Sequence, residues 1–142
     1  MGTEAVRAFL DANVLFSAAF RLDSQTRELW NLPEVELCVS SYVANEARRN
    51  LAEARPDSLP ELERLLTCTT LCVDPATDAP ADVVLRAKDR PVLAAAIQSG
   101  AVVLVTGDRR DFGCYFGRTV AGVRVVRPGD FIRERRGSPR DA

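Results

Sequence analysis

The stretch AVVLVTGDRRDF, residues 101–112, is an apolar run from Ala101 to Val105 that stops abruptly in Thr106-Gly107-Asp108. A continuous aliphatic run rich in Val and closed by Gly reads as a strand buried on both faces. Asp108 then stands at the carboxyl end of a core strand, the edge at which open α/β sheets bind ligands. The pattern occurs again near the amino terminus, where Val6-Arg7-Ala8-Phe9-Leu10 ends in Asp11, followed by Ala12-Asn13. Two buried strands that each deliver an Asp at one edge set the problem for the rest of the chain.

Outward from these strands, strand-like and helix-like segments alternate. Asn13 to Phe20 and Ser24 to Asn31 read as two short helices, the second capped by Ser24. Val35 to Val39 read as a second strand, and Ser40-Ser41 cap a helix over Tyr42 to Ala54 with Val43, Ala47 and Leu51 on one face. A helix over Glu61 to Leu66 and a strand over Thr69 to Val73 follow. Val83 to Ala87 read as a short helix and Arg90 to Ser99 as a firmer one, with Pro91 in its first turn and Gly100 past its end. A loop or short helix spans Asp111 to Phe116. Val123 to Val126 form a fifth strand, and Pro128 to Glu134 start a last helix. Five strands with intervening helices predict an α/β chain: a three-layer α/β/α sandwich around a five-stranded parallel sheet.

With 142 residues, 46% hydrophobic and 27% charged, the chain fits one domain with a proper core. We expect that domain over residues 1–134 and a basic, flexible tail over 135–142. No apolar stretch reaches the length of a membrane span, so a cytoplasmic protein is expected. Histidine is absent, which excludes His-based triads, imidazole bases and His-containing zinc sites. Cys38, Cys68, Cys72 and Cys114 lack a zinc-type spacing and read as reduced structural thiols. Residues 1–112 hold 12 basic against 17 acidic side chains, and residues 113–142 hold 7 against 3. The tail arginines are able to touch phosphates, but a solvated terminus explains them equally well.

If Asp11 and Asp108 end neighbouring strands, they converge. Glu46, in the helix after strand two, and Asp89, at a helix start, can then join them. Four carboxylates in one cleft repel each other strongly unless a cation neutralises them. The occupant such oxygens prefer is a hard ion, Mg²⁺ or Mn²⁺.

These segments together resemble the PIN-domain nucleases over nearly the whole length. FLDANVLFSA resembles the family's opening strand with its first acid, Asp11. VANEARRNL carries the second at Glu46, KDRPVLAAAI the third at Asp89, and TGDRRDF the fourth at Asp108, with Asp111 as a further acid. GVRVVRPGDFI is similar to the family's closing strand and helix. The resemblance implies strand order 3-2-1-4-5 and metal-dependent hydrolysis of RNA phosphodiester bonds, leaving a 5′-phosphate. It implies Asp11, Glu46, Asp89 and Asp108 as catalytic acids, with Asp11, Asp89, Asp108 and Asp111 holding Mg²⁺ or Mn²⁺. Many small stand-alone members of the VapC-like type are toxins of toxin–antitoxin pairs, commonly homodimers inhibited by a partner protein.

Each residue also has a plainer reading. Glu46 can pair with Arg49 or Asn50 on a solvated helix face, and Asp89 or Asp111 can serve only as helix-start acids. Asn13 and Thr106 are candidates for orienting the acids, and Arg48, Arg49, Arg109 and Arg110 for phosphate contact. Two other functions compete. A haloacid-dehalogenase-like phosphatase also opens with a strand ending in Asp and has a lysine upstream of Gly-Asp, but it needs a second Asp where this chain has Asn13. A non-catalytic scaffold would keep the fold and the acids without turnover.

Overall fold

The two runs that end in Asp11 and Asp108 lie side by side at the centre of the sheet. The structure, a computed structural model, describes residues 5–137. In chain order the elements are β1 (Val6–Leu10), α1 (Ala12–Phe20), β2 (Val35–Ser40), α2 (Ser41–Ala54), α3 (Leu59–Leu66) and β3 (Thr70–Cys72). Then come α4 (Arg90–Gln98), β4 (Val103–Val105), α5 (Arg109–Phe112), β5 (Thr119–Val120), β6 (Val123–Val126) and α6 (Pro128–Arg136). The sheet order is β3-β2-β1-β4-β6-β5. β1 pairs in parallel with β2 on one side and with β4 on the other, where Leu10 lies opposite Val105. Ala8, Phe9, Leu10, Leu104 and Val105 are fully buried, as strands covered on both faces require.

Among the described residues the sheet has six strands rather than five. The parallel order expected for the five long runs holds, with Val123–Val126 as β6, and the sixth strand is the antiparallel β5. Val120 pairs with Val123 across a two-residue loop in which both Ala121 (φ 51°) and Gly122 (φ 86°) take positive φ. That is the loop of a tight hairpin. Ala121 is an uncommon residue for this conformation, so the turn carries no strong sequence signal.

Two helical expectations also change. Residues 25–31 wind as a tight 3₁₀ helix, with Ser24 Oγ accepting from Thr26 N at 3.3 Å. Val83 to Ala87 form no helix. The Arg90 guanidinium donates instead to the carbonyls of Ala79, Pro80 and Val83 at 2.7–2.9 Å. Backbone acceptors satisfied by a side chain need no helical ladder. Gly100, at φ 77°, follows Ser99 at the end of α4 and turns the chain toward β4, in the position where a left-handed residue closes a helix.

α2 starts as its sequence predicts, with Ser40 Oγ accepting from Val43 N, and buries Val43, Ala44, Ala47 and Leu51. Its burial against α1 and α3 leaves Glu46 at the carboxyl edge of the sheet. Trp30, half-buried, donates from Nε1 to the Leu65 carbonyl at 3.1 Å. All four cysteines are free. Burial pushes the Cys38 thiol up to about 12, so it behaves as a small apolar side chain. No helix among the described residues is long and apolar enough to cross a membrane.

The hairpin offers a test of this geometry. Asn tolerates the left-handed conformation at a smaller penalty than Ala, so Ala121→Asn is expected to stabilise the protein by about 0.5–1 kcal/mol. Urea unfolding measures it; an unchanged or lower midpoint would contradict the positive φ at Ala121.

Candidate active site

Asp11 stands one residue beyond β1, its backbone N–H donating to the Val105 carbonyl at 3.0 Å. It caps α1: Oδ1 accepts from Ala12 N at 2.7 Å. Oδ2 accepts from Thr106 Oγ1 at 2.9 Å and from Asn13 Nδ2 at 3.1 Å. Thr106 Oγ1 in turn accepts from Asp108 N at 3.1 Å, while Asn13 Oδ1 accepts from Gly107 N at 2.8 Å. The ends of β1 and β4 are thus stitched together by two short polar side chains. Asn13 and Thr106, the residues considered for orienting the acids, hydrogen-bond the Asp11 carboxylate and the backbone at Gly107 and Asp108.

The Asp11 carboxylate is only 4% exposed. Burial raises its pKa to about 6, against the hydrogen bonds from Thr106 and Ala12, and the neighbouring Glu46 and Asp108 push in the same direction as burial. Asp108 caps the short α5, its Oδ1 accepting from Arg110 N and Asp111 N at 3.0 and 3.1 Å. Asp89, also 4% exposed, precedes α4. Its pKa rises to about 7, through burial first and the adjacent Asp111 second. Asp111 moves the other way: the Arg86 guanidinium, at 2.8 and 3.1 Å, holds it well below the usual carboxylate range.

A cleft of about 570 Å³ opens over this edge. Asp11, Glu46, Asp89 and Asp108 all line it, so the structure brings together the four acids proposed as catalytic. Phe16, Ser17, Thr26 and Pro128 are among the other residues of its wall, as is Lys88. Asp89, Asp108 and Asp111 each place one carboxylate oxygen within 4.8 Å of the others. Three hard oxygen donors at that spacing fit a divalent cation such as Mg²⁺ or Mn²⁺. Asp11 lies outside that trio among the described residues, its oxygens taken by Thr106, Asn13 and Ala12.

The four arginines proposed for phosphate contact do not line the cleft. Arg48 is engaged with Glu63 at 2.7 and 2.9 Å and with Asn45. Arg49 is exposed on α2, and Arg109 and Arg110 are exposed on α5. In the basic tail, Arg135 and Arg136 continue α6, where Arg136 pairs with Glu28; residues 138–142 lie outside the described residues. Among the described residues, the cations at the site are Arg86 and Lys88, which the expectations from sequence leave out. Lys88 is the sole lysine of the chain, and its position directly before Asp89 is the one signal that marks it.

A PIN domain family model matches residues 7–110. No curated protein matches significantly. Among solved structures, VapBC from Salmonella typhimurium in its DNA-bound form is similar at TM-score 0.64 and 19% identity, over 87% of this chain and 98% of that one. VapBC2 from Rickettsia felis, bound to a DNA fragment from its promoter, gives 0.61 and 13%, over 86% and 98%. The protein PAE2754 from Pyrobaculum aerophilum gives 0.60 and 22%, over 94% and 91%.

The raised acids define a pH dependence. In the metal-free protein Asp11 and Asp89 keep protons up to about 6 and about 7, whereas the unfolded chain releases them near 3.8. The native state therefore binds more protons in that window, and stability falls as pH rises through it. No histidine titrates there. Melting in EDTA is expected at a lower temperature at about pH 8 than at about pH 5, with saturating Mn²⁺ narrowing the gap. A flat or rising profile in EDTA would refute the assignment.

Proposed function

Because this chain belongs to the PIN domain family, we propose that it is a metal-dependent endoribonuclease, loaded with Mg²⁺ or Mn²⁺, that hydrolyses RNA phosphodiester bonds. The observation that carries this reading is the convergence of Asp11, Glu46, Asp89 and Asp108 on one cleft, with three carboxylates close enough to share a cation. A bound divalent ion would supply the charge that activates water and stabilises the phosphorane-like transition state.

The chain's own residues prepare that chemistry. Thr106 and Asn13 hold the Asp11 carboxylate in one orientation, so its position needs no reorganisation when substrate arrives. Asp89 and Asp108 face it from the starts of α4 and α5 and supply the oxygens for the cation with Asp111. Glu46 lines the same cleft from α2, and in this reading it accepts a proton from the attacking water. The wall of Phe16, Ser17, Thr26 and Pro128 offers an apolar surface and two hydroxyls to a nucleotide flanking the scissile phosphate. A bare acid cleft repels a polyanion, so substrate approach follows cation binding.

The biological setting we infer is a toxin–antitoxin pair acting in the cytoplasm. Two of the similar structures are VapBC assemblies bound to DNA. In this reading the chain is the toxin, works as a homodimer and is restrained by an antitoxin protein.

Cleavage of end-labelled single-stranded RNA with Mg²⁺, Mn²⁺ or EDTA tests the activity. We expect metal-dependent cleavage leaving 5′-phosphate ends. Asp11→Asn and Asp108→Asn, purified identically, should each lower the rate at least about 100-fold, the scale set by loss of one preorganised charged group. Equal behaviour of wild type and both variants would rule the nuclease reading out.

A further inference from the structure

The carboxylate trio already has a cation in it. Lys88 Nζ lies 3.0 and 3.3 Å from the two Asp89 oxygens, 3.4 Å from Asp111 Oδ2 and 4.0 Å from Asp108 Oδ2. These are the same three carboxylates whose oxygens come within 4.8 Å of one another. An ammonium and a divalent ion therefore need the same space and the same oxygens. We propose that the Lys88 ammonium is the built-in counter-ion of Asp89, Asp108 and Asp111, and that it competes with a divalent cation for them. The proposal rests on the metal-dependent reading above.

Three further features fit such a role. The main chain at Lys88 is anchored, because Tyr42 Oη on α2 donates to the Lys88 carbonyl at 2.8 Å. Its side chain is about half exposed and lines the cleft, so the ammonium has somewhere to go when displaced while the backbone stays in place. Chemistry separates it from its neighbour Arg86, which grips Asp111 through two parallel hydrogen bonds from a planar fork. An ammonium on a flexible stem is a compact point charge with no such lock. All the other basic side chains of this protein are arginines; the one lysine stands where a cation has to be replaceable. The strength of its hold sets the concentration of divalent cation at which the site loads.

Titration calorimetry with Mn²⁺ alone, on wild type, Lys88→Met and Lys88→Arg, tests this, together with thermal melts in EDTA and in saturating Mn²⁺. With the competing charge removed, Lys88→Met should bind Mn²⁺ about tenfold more tightly, the scale of one nearby unit charge. It should also melt lower than wild type in EDTA and show a larger rise in melting temperature on adding Mn²⁺. Lys88→Arg should bind Mn²⁺ no more tightly than wild type. Equal or weaker Mn²⁺ binding by folded Lys88→Met overturns the competition. So does a lowered melting temperature with an unchanged Mn²⁺-induced rise, because that is the signature of a merely structural contact. Should Lys88→Met not fold, Lys88→Gln carries the same expectations. If neither wild type nor the variants bind Mn²⁺, the metal-dependent reading fails and the competition falls with it; if wild type binds and Lys88→Met matches it, only the competition fails.

Discussion

The hydrogen bond from the Thr106 hydroxyl to the Asp11 carboxylate joins the ends of the two central strands. Parallel strands that finish side by side bring their terminal groups together whether or not those groups attract. Here the groups include two aspartates. Thr106 resolves part of the conflict by donating to Asp11 and accepting from the Asp108 amide. Asn13 does the same with its two ends, one toward Asp11 and one toward Gly107. Neither residue carries charge, so the negative charge of the cleft is left in place; burial raises the pKa values of Asp11 and Asp89, and neighbouring acids add to the rise. The cleft is rigid in geometry and unsatisfied in charge.

Much of the fold was legible in the sequence because buried parallel strands advertise themselves. Val103 to Val105 is short, rich in Val and closed by Gly107, and Val123 to Val126, interrupted only by Arg124, is followed by Pro128; length, Val content and flanking breakers mark both as strands. The α2 helix was equally plain, with Ser40 as its cap and apolar residues at helical spacing. The segments that escaped were those governed by a single residue rather than by a pattern. Val83 to Ala87 follow a loop held by Arg90, whose guanidinium reaches back to the carbonyls of Ala79, Pro80 and Val83. The short β5 depends on Ala121 accepting a conformation that its side chain resists.

The site divides along the same line. Asp11 and Asp108 could be read from strand endings, and Glu46 and Asp89 from the family pattern, because position along the chain fixes which edge of the sheet they reach. Which cations would join them could not be read that way. Arg48 sits two residues from Glu46 yet lies with Glu63, since a helix turns neighbouring residues to different faces. Many of the surface arginines are engaged similarly: Arg7 with Glu36, Arg27 and Arg64 with Glu61, Arg124 with Glu134. The exposed ones among these pairs add little stability each, whereas Arg27–Glu61 is largely buried.

The two margins of the sheet have a consequence of their own. β3 is three residues long and β5 only two, and β5 runs against its neighbour and turns through a tight loop. A foreign strand that meets either margin finds few free amide and carbonyl groups in line, which is how sheets resist adding material from outside. Leu71 and Val73 are well exposed near β3, but they sit beside a ladder too brief to template much pairing. A sheet with so apolar a centre therefore stops growing at its own edges.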